Sequence, residues 1–302
     1  MARHAFLLLN HGNHPVVEAC IRMIDDPRND IFVLADQEER PYYSQLKTQH
    51  SKIFVLDAKV KITWCGTIWE GMFELIKAAS KGHYGYYHLL SESDLPIKSQ
   101  DAIHNFFDND PNQMIYMHVN RLTFKEIQER VMTNYPFLNS PRFRKSKPLK
   151  ALALALVKLK ILFGVNRLKD NKEIPVLYNG WNWFSIPDDF AQYVVSKEQL
   201  LHHTFDRTLS SDEVFLQSLA MNSKFRYRMY GYDGKDNPTN ASKRLIWSSQ
   251  DTWRPHVMTI QDLKTIQDNT NCYFARKFYA NVDMKIVQQL ASGLSKQAST
   301  PE

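Results

Sequence analysis

Tyr86–Ser99 reads YYHLLSESDLPIKS and decides the class of fold. Its first half, Tyr86–Leu90, is the short apolar run typical of a buried strand. The strand must end before Pro96, because proline cannot donate to a sheet ladder. A buried strand that ends in hydroxyls and carboxylates fits the rim of an open α/β sheet, where ligands bind at the carboxyl ends of strands. The local sequence alone leaves open a simpler alternative, a polar turn that caps the next helix.

The flanking chain alternates between strand-like and helix-like segments. The predicted strands are His4–Asn10, Ile31–Leu34, Lys52–Leu56, Tyr86–Leu90 and Met114–His118, and the predicted helices are Val16–Ile24, Ile68–Lys81 and a segment around Ser99–Phe107. This order is typical of an α/β domain with a mostly parallel sheet. Polar residues end three of these strands, at Asn10–His11, Ala35–Asp36 and Ser91–Asp94, so a nucleotide-sized crevice is expected there. No Gly-x-Gly-x-x-Gly follows the first strand, which excludes the dinucleotide-binding fingerprint.

Composition limits the class of protein and its compartment. At 302 residues and 43% hydrophobic content the chain can bury a large core. Three widely spaced cysteines make neither a metal-ligand cluster nor a disulfide framework, which indicates a reducing compartment. The apolar run Ala5–Leu9 is shorter than a secretory signal, and no stretch reaches the ~18 apolar residues of a membrane span. We therefore expect a cytoplasmic protein.

The net charge of +6 is concentrated in one segment. Residues 142–172 hold ten Lys or Arg and a single acid, Asp170. Within this segment, Leu149–Val165 alternates Ala and Leu around lysines, which predicts an amphipathic helix on an anionic membrane surface, although a strand or a solvated helix stays open. Nucleic-acid binding is disfavoured, because the basic residues flank an Ala/Leu run rather than interleaved aromatics.

Three further features suggest chemistry, each with a structural alternative. Glu213 follows Ser210–Asp212 at a predicted helix start, where it fits either a general base or an acid that the helix dipole favours. Trp181 and Trp183 alternate around an Asn and fit either sugar stacking or ordinary strand packing. Asp108-Asn-Asp110 has the spacing of a metal motif, but it follows a helix and precedes a proline, which favours a solvated turn.

Seven segments, in this order, resemble one family. It is glycosyltransferase family 14, the core-2 and I-branching β-1,6-N-acetylglucosaminyltransferases and the peptide O-xylosyltransferases. The resemblance covers roughly residues 4–290 and is weakest over residues 119–172. The segments are Ile31–Asp36, Lys61–Gly66, Leu89–Pro96, Gly180–Ile186, Ser211–Phe215, Lys243–Trp247 and Phe274–Phe278.

The resemblance implies a GT-A type fold with a Rossmann-like central sheet and an inverting transfer from a UDP-sugar without a metal or other cofactor. Glu213 would be the catalytic base, and Arg244 and Lys277 would hold the diphosphate, with Arg276 a weaker candidate. Donor binding would also involve His11, Asp36 and Asp94, with His11 near the uracil or ribose. Trp181 and Trp183 would face the acceptor or shape the donor sugar pocket.

Departures from the family pattern limit what is carried over. Glu92 stands where the family has glycine, and Cys65 also replaces one, so the donor sugar stays open. GlcNAc is the first choice, with xylose, glucose and galactose as alternatives. The acceptor would be a glycan or a lipid-linked hydroxyl in cell-surface polysaccharide synthesis, in a bacterial relative peripheral to the inner face of the plasma membrane. A non-catalytic sugar-binding module and a manganese-dependent enzyme are the alternative hypotheses.

The same resemblance predicts one glycosyltransferase domain over residues 1–302. It divides into a nucleotide-binding half (1–118), a basic amphipathic insertion (142–172), an acceptor and catalytic half (173–291) and a polar tail (292–302).

Overall fold

A six-stranded sheet forms the centre of the computed structural model, which describes residues 2–57, 66–234, 246–247 and 256–297. Its strand order is β3-β2-β1-β4-β9-β6. The strands are β1 (His4–Asn10), β2 (Asn29–Ala35), β3 (Lys52–Val55), β4 (Tyr86–Ser91), β9 (Phe184–Pro187) and β6 (Tyr116–Met117). The first four strands in this order pair in parallel, whereas β9 is antiparallel to both neighbours. The predicted α/β class with a mostly parallel sheet is therefore confirmed, while the GT-A type stays a prediction.

Helices cover both faces of this sheet. They are α1 (His14–Met23), α2 (Arg40–Tyr43), α3 (Ile68–Ser80), α4 (Gln100–Asp108), α5 (Phe124–Arg130), α6 (Pro141–Lys145), α7 (Lys147–Leu162), α8 (Asp188–Ser196), α9 (Glu198–Phe205), α10 (Phe215–Met221), α11 (Leu263–Gln267) and α12 (Met284–Gln297). Successive strand residues point to opposite faces. In β1, Leu7 packs into the core that contains α3 and α8, and Phe6 and Leu8 pack into the core that contains α1, α4 and α12.

The stretch after β4 differs from the predicted turn. Asp94–Pro96 forms β5, which pairs antiparallel with β11 (Phe274–Arg276), and β11 pairs in parallel with β10 (Ile246–Trp247). Pro96 ends β5, consistent with its missing N–H. A second small sheet joins β7 (Asn120–Arg121) to β8 (Tyr178–Asn179). The pairing of β5 with β11 brings the Phe274–Phe278 segment beside the end of β4.

Local signals predicted several helix boundaries. Ser99 caps α4, since its Oγ accepts from the Ala102 N–H at 3.3 Å, as the sequence predicts. The Ala/Leu alternation of Leu149–Val165 lies within the helix α7 and the residues after it, not in a strand. Ser211–Glu213 forms a 3-10 turn ahead of α10, so Glu213 precedes this helix rather than lying in its first turn.

Candidate active site

The carboxyl ends of three parallel strands lie side by side. In the register of the sheet, Asn10 pairs with Ala35 and Leu9 pairs with Ser91. The polar residues that follow these strands therefore converge on one edge. His11 Nδ1 lies 2.8 Å from Asp36 Oδ2, and the His11 side chain is 75% exposed. Two of the predicted donor residues thus form a pair at this edge of the sheet.

Asn13, which the sequence did not single out, connects the loops at this edge through hydrogen bonds. Its Nδ2 donates to the carbonyl oxygens of Glu92, at 2.7 Å, and Phe278, at 2.9 Å. Its Oδ1 accepts from the Ala280 N–H at 3.1 Å. The residue has a φ of 54°, in the left-handed region that Asn tolerates better than most side chains. One amide thereby fixes the loops after β1, β4 and β11 against each other.

Asp94 is fully buried at the start of β5 and acts as a hub of hydrogen bonds. Its Oδ2 accepts from Ser91 N at 2.7 Å, Ser91 Oγ at 2.9 Å and Trp183 Nε1 at 2.7 Å. Its Oδ1 lies 3.6 Å from Arg276 Nε. The carboxylate is placed to position Trp183 and Arg276, and its contact with a nucleotide stays a prediction.

Arg276 is a buried cation with unsatisfied donors. Its guanidinium carbon lies 3.3 Å from the centroid of the Trp183 ring, and the residue is 6% exposed. Among the described residues, its Nε and Nη1 have no hydrogen-bond partner. Burial lowers its pKa, although Asp94 and Glu92 act in the opposite direction. Since unpaired buried donors are costly, they indicate a site prepared for an anionic group.

Lys277 follows Arg276 and adds a second positive charge at the same edge. Its N–H donates to the His256 carbonyl at 3.3 Å, and its own carbonyl accepts from the Met258 N–H at 2.8 Å. The side chain is half-buried, and burial followed by the charge of Arg276 lowers its pKa. Arg244, the other residue predicted to hold the diphosphate, lies outside the described residues.

Glu92 belongs to the same cluster. Burial, together with the charge of Asp94, raises the pKa of its carboxyl, whereas Arg276 and His11 act in the opposite direction. This carboxyl lies where the family has glycine, so it adds a second acidic group, beside Asp94, to the cluster that holds Arg276 and Lys277. The departure seen in the sequence therefore falls at the predicted donor site.

Glu213 lies in a second cluster, held by an ion pair. Its Oε2 accepts from Arg130 Nη2, and its side chain is 44% exposed. Arg130 ends α5, and the sequence reasoning missed it because nothing local links the two residues. The exposed face of the carboxylate leaves it accessible to an acceptor hydroxyl, as a general base requires.

The segment Gly180–Trp183 connects the two clusters. The Gly180 N–H donates to the Glu213 carbonyl at 2.8 Å, and Asn182 Nδ2 donates to Asp212 Oδ2 at 2.7 Å. The next residue, Trp183, contacts Asp94 and Arg276. A Cβ on Gly180 would lie 1.7 Å from the His118 carbonyl oxygen, so only glycine fits this position. Adjacent residues about 3.8 Å apart at Cα therefore contact the donor cluster and the base cluster.

Trp181 has a different environment from Trp183. Its ring stacks on His118 with centroids 4.7 Å apart and an interplanar angle of 17°, and the residue is 36% exposed. Its carbonyl accepts from Gln217 Nε2 at 2.9 Å. The partly exposed ring thus lies against His118, one residue after the Gly180 N–H that donates to the Glu213 carbonyl, whereas Trp183 lies in the cluster of predicted donor residues. The structure thus separates two tryptophans that the sequence reasoning treated together.

A family model described as "Core-2/I-Branching enzyme" matches residues 4–267. The chain belongs to the Core-2/I-Branching enzyme family. The chain is 25% identical over 304 residues to "Xylosyltransferase sqv-6" of Caenorhabditis briggsae. The alignment covers 94% of this chain but 36% of that protein, so the chain spans about a third of its length. The family match thus makes the chain a homologue of the Core-2/I-Branching enzymes.

A search of solved structures also found a xylosyltransferase. The apo form of mouse xyloside xylosyltransferase 1 is 12% identical, with a TM-score of 0.33. The superposition covers 72% of this chain and 81% of the mouse protein.

Possible metal ligands in this branching-enzyme homologue lie away from the two clusters. In the described ranges, one group of side chains has metal-ligand spacing, and it consists of His4, His104 and Asp108. His4 begins β1, about 20 Å along the strand from Asn10 at 3.3 Å per residue. Asp110 instead accepts from the Met114 N–H at 2.8 Å and from Tyr116 Oη at 3.0 Å. Asp108 instead ends α4, and its carboxylate lies 3.2 Å from His4 Nε2, so it is not in the solvated turn that the sequence favoured and the two carboxylates contact different partners.

One surface depression of the enzyme contains none of the predicted site residues. It is lined by Pro111, Asn112, Gln113, Met114, Tyr227 and Arg228. Its Arg228 is already engaged with Asp189 and with the Gln113 carbonyl. The depression therefore offers less free cationic charge than the Arg276 and Lys277 pair.

Asp212, next to the candidate base, gives a pH-dependent prediction. Burial, followed by the charge of Glu213, raises its pKa to about 6. An unfolded Asp has a pKa of about 3.9. Between these values the native state holds a proton that the unfolded state releases, so the wild type loses stability as the pH rises through this window. A difference of about two pKa units corresponds to about 3 kcal/mol. The free energy of unfolding of Asp212→Asn, relative to that of the wild type, should therefore rise by about 3 kcal/mol between about pH 4 and pH 7.5.

Urea unfolding of wild type and Asp212→Asn at both pH values measures this gain. Asp170→Asn, at an exposed position, is the control and should show a much smaller change. If the free energies of unfolding of Asp212→Asn and the wild type differ by the same amount at both pH values, the charged form of Asp212 does not destabilise the native state.

Proposed function

We propose that the chain is an inverting glycosyltransferase that moves a sugar from a UDP-sugar to a hydroxyl of a glycan or a lipid-linked acceptor. The observation that carries this proposal is the Gly180–Trp183 segment. Through it, one hydrogen-bonded unit joins the cluster that holds the buried Arg276 to the accessible carboxylate of Glu213. The family supports glycosyl transfer, and the arrangement of the two clusters supports the finer assignment.

In this proposal, His11 and Asp36 contact the uridine at the carboxyl ends of β1 and β2. Lys277 and Arg276 face the diphosphate, and the Trp183 ring stacks against the Arg276 guanidinium. Arg244 is proposed as a third cation there on the strength of the family pattern. The sugar would then project towards the Gly180–Trp183 segment, between the two clusters.

Two changes accompany the transfer: the acceptor hydroxyl loses its proton, and negative charge grows on the diphosphate. The acceptor oxygen attacks C1 of the sugar while Glu213 takes its proton, and the C1–O bond to the diphosphate breaks with its electron pair. Negative charge that grows on the departing diphosphate is stabilised by Lys277 and Arg276, which are already held in place. Inversion requires only one carboxylate, because no covalent sugar–enzyme intermediate forms.

We propose that the reaction needs no metal ion, because both carboxylate oxygens of Asp94 already face protein groups. Metal-dependent GT-A enzymes need carboxylate oxygens directed at the diphosphate. Here, Asp94 Oδ2 already accepts three hydrogen bonds, and Oδ1 faces a guanidinium. Fixed cations at the diphosphate then supply the charge that a divalent ion would otherwise supply.

A screen of UDP-sugars in the presence of EDTA tests this function. UDP-GlcNAc, UDP-xylose, UDP-glucose and UDP-galactose are each incubated with the protein, and release of UDP is followed by chromatography. We expect slow hydrolysis of one donor, with GlcNAc the first choice, and an unchanged rate after chelation. Loss of turnover with EDTA, restored by manganese, would contradict metal independence. Binding of UDP without turnover of any donor, even with acceptor glycans added, would contradict the proposed transfer.

A further inference from the structure

The helix α7 leaves several large apolar side chains exposed. It spans 16 residues, and only Ala153 and Val157 are buried. The apolar residues that remain largely exposed are Leu152, Leu154, Leu159, Leu162, Phe163 and Val165. Leu162 and Phe163 are 80% and 76% exposed, which is unusual for adjacent large apolar residues. Several exposed large apolar side chains on one helix indicate an interaction site.

Lysines flank this apolar surface. At about 100° per residue, Leu152, Leu159 and Leu162 fall within an arc of roughly 80° on α7. Lys147 and Lys158, both exposed, lie beside this arc on the helix surface. Lys160 faces inward instead, where its Nζ donates to Asn134 Oδ1 at 2.7 Å. The exposed face of α7 is therefore apolar along one strip and cationic along the next.

The inner face of α7 is anchored close to the Glu213 cluster. Val157 packs with Tyr135 and Leu138 in a small core that also contacts Leu209. The Leu209 N–H donates to the Arg130 carbonyl at 2.8 Å, and Arg130 forms the ion pair with Glu213. A surface docked on α7 would thus lie on the side of the molecule that carries the candidate base.

Two kinds of occupant could cover this face, a membrane or a second copy of the chain. A symmetric dimer would place the same patch against itself. Residues 142–172 carry ten basic residues against one acid, so such a contact would oppose like charges. An anionic lipid surface instead complements the lysines and receives the leucines. In the described part of the chain, no helix combines the length and apolarity needed to cross a bilayer.

We propose that α7 and the adjoining Phe163–Val165 dock in the interface of an anionic membrane, with α7 parallel to the surface. Leu152, Leu159, Leu162 and Phe163 enter the boundary between headgroups and acyl chains, and Lys147 and Lys158, which lie beside them, contact lipid phosphates. This proposal does not depend on the transfer reaction. It would bring a membrane-embedded acceptor to the Glu213 side of the enzyme.

Vesicle co-sedimentation tests the proposal. The full chain is mixed with vesicles of phosphatidylglycerol and phosphatidylcholine, or of phosphatidylcholine alone. We expect binding to the anionic vesicles that weakens with added salt, and little binding to the neutral ones. The double variant Leu162→Glu, Phe163→Glu should bind at least tenfold more weakly. Replacing Lys147 and Lys158 with Gln should weaken binding by roughly fivefold per lysine.

Two controls separate the possible outcomes. Val282→Glu changes an exposed apolar residue on another surface and should bind like the wild type. Hydrolysis of the UDP-sugar in solution should be unchanged in all the α7 variants, so failure of docking and failure of the proposed reaction remain distinguishable. Equal binding to neutral and anionic vesicles would overturn the proposal. So would a dimer in analytical ultracentrifugation that Leu162→Glu, Phe163→Glu dissolves.

Discussion

Glu213→Gln is expected to lower the rate of sugar transfer by about 10²–10⁴-fold, the usual contribution of a general base. Gln has nearly the same shape and can still accept from Arg130, but it cannot take the acceptor proton. The backbone bond from Gly180 N–H to the Glu213 carbonyl does not involve the side chain, so the Gly180–Trp183 segment should keep its position. Affinity for UDP should therefore remain within about twofold, because the donor cluster is unchanged. Initial rates with donor and acceptor, together with calorimetric titration of UDP, measure the two effects.

Glu129→Gln is the matched control for this variant. Glu129 is an exposed carboxylate on α5 beside Arg130, and its substitution removes a negative charge near the site without touching Glu213. It should retain nearly full activity. Unchanged transfer by Glu213→Gln would show that another group accepts the proton. Loss of both transfer and UDP binding would instead indicate that Glu213 maintains the structure of the site.

Lys277→Met is expected to lower kcat/KM for the donor by about 10²–10³-fold, the effect of removing one group that stabilises developing negative charge. Methionine keeps the length and packing of the half-buried side chain but removes its charge. The Kd for UDP should rise, because part of the lost interaction already exists with the bound diphosphate. A larger loss in kcat than in UDP affinity would indicate that Lys277 contributes most as the diphosphate departs.

Lys285→Met provides the control, since Lys285 is exposed on α12 and its loss lowers the net charge equally. It should leave kcat/KM unchanged at moderate salt, where distant surface charges are screened. A similar loss in both variants would show that Lys277 acts only through overall charge. Unchanged kinetics in Lys277→Met would place the diphosphate elsewhere.

Periodic patterns in the sequence predicted the elements that carry this site. The limits of β1 and the cap of α4 at Ser99 follow from short-range signals, and the structure places both where they were expected. The convergence of His11 and Asp36 follows from parallel pairing, which aligns the carboxyl ends of adjacent strands. The sequence predicts these features because they are determined by residues close in the chain or by the parallel pairing of neighbouring strands.

Contacts between distant parts of the chain could not be predicted in the same way. The strand β5 pairs with β11 about 180 residues later, so the residues around Asp94 alone indicated a turn. Arg276 was ranked below Lys277 because burial and the stacking on Trp183 cannot be seen from the sequence. The ion pair of Arg130 with Glu213 and the three bonds of Asn13 also join distant loops. Gly180 and the His118 carbonyl are likewise far apart in the sequence, so their close approach could not be predicted.

The central claim is that the edge formed by β1, β2 and β4 binds the nucleotide beside Arg276 and Lys277. A structure of the protein with UDP bound tests this most directly. We predict diphosphate oxygens within about 3 Å of Lys277 Nζ and of the unpaired Arg276 Nη1, with the uridine against His11 and Asp36. A diphosphate bound in the depression near Arg228, or out of reach of both Arg276 and Lys277, would contradict the account.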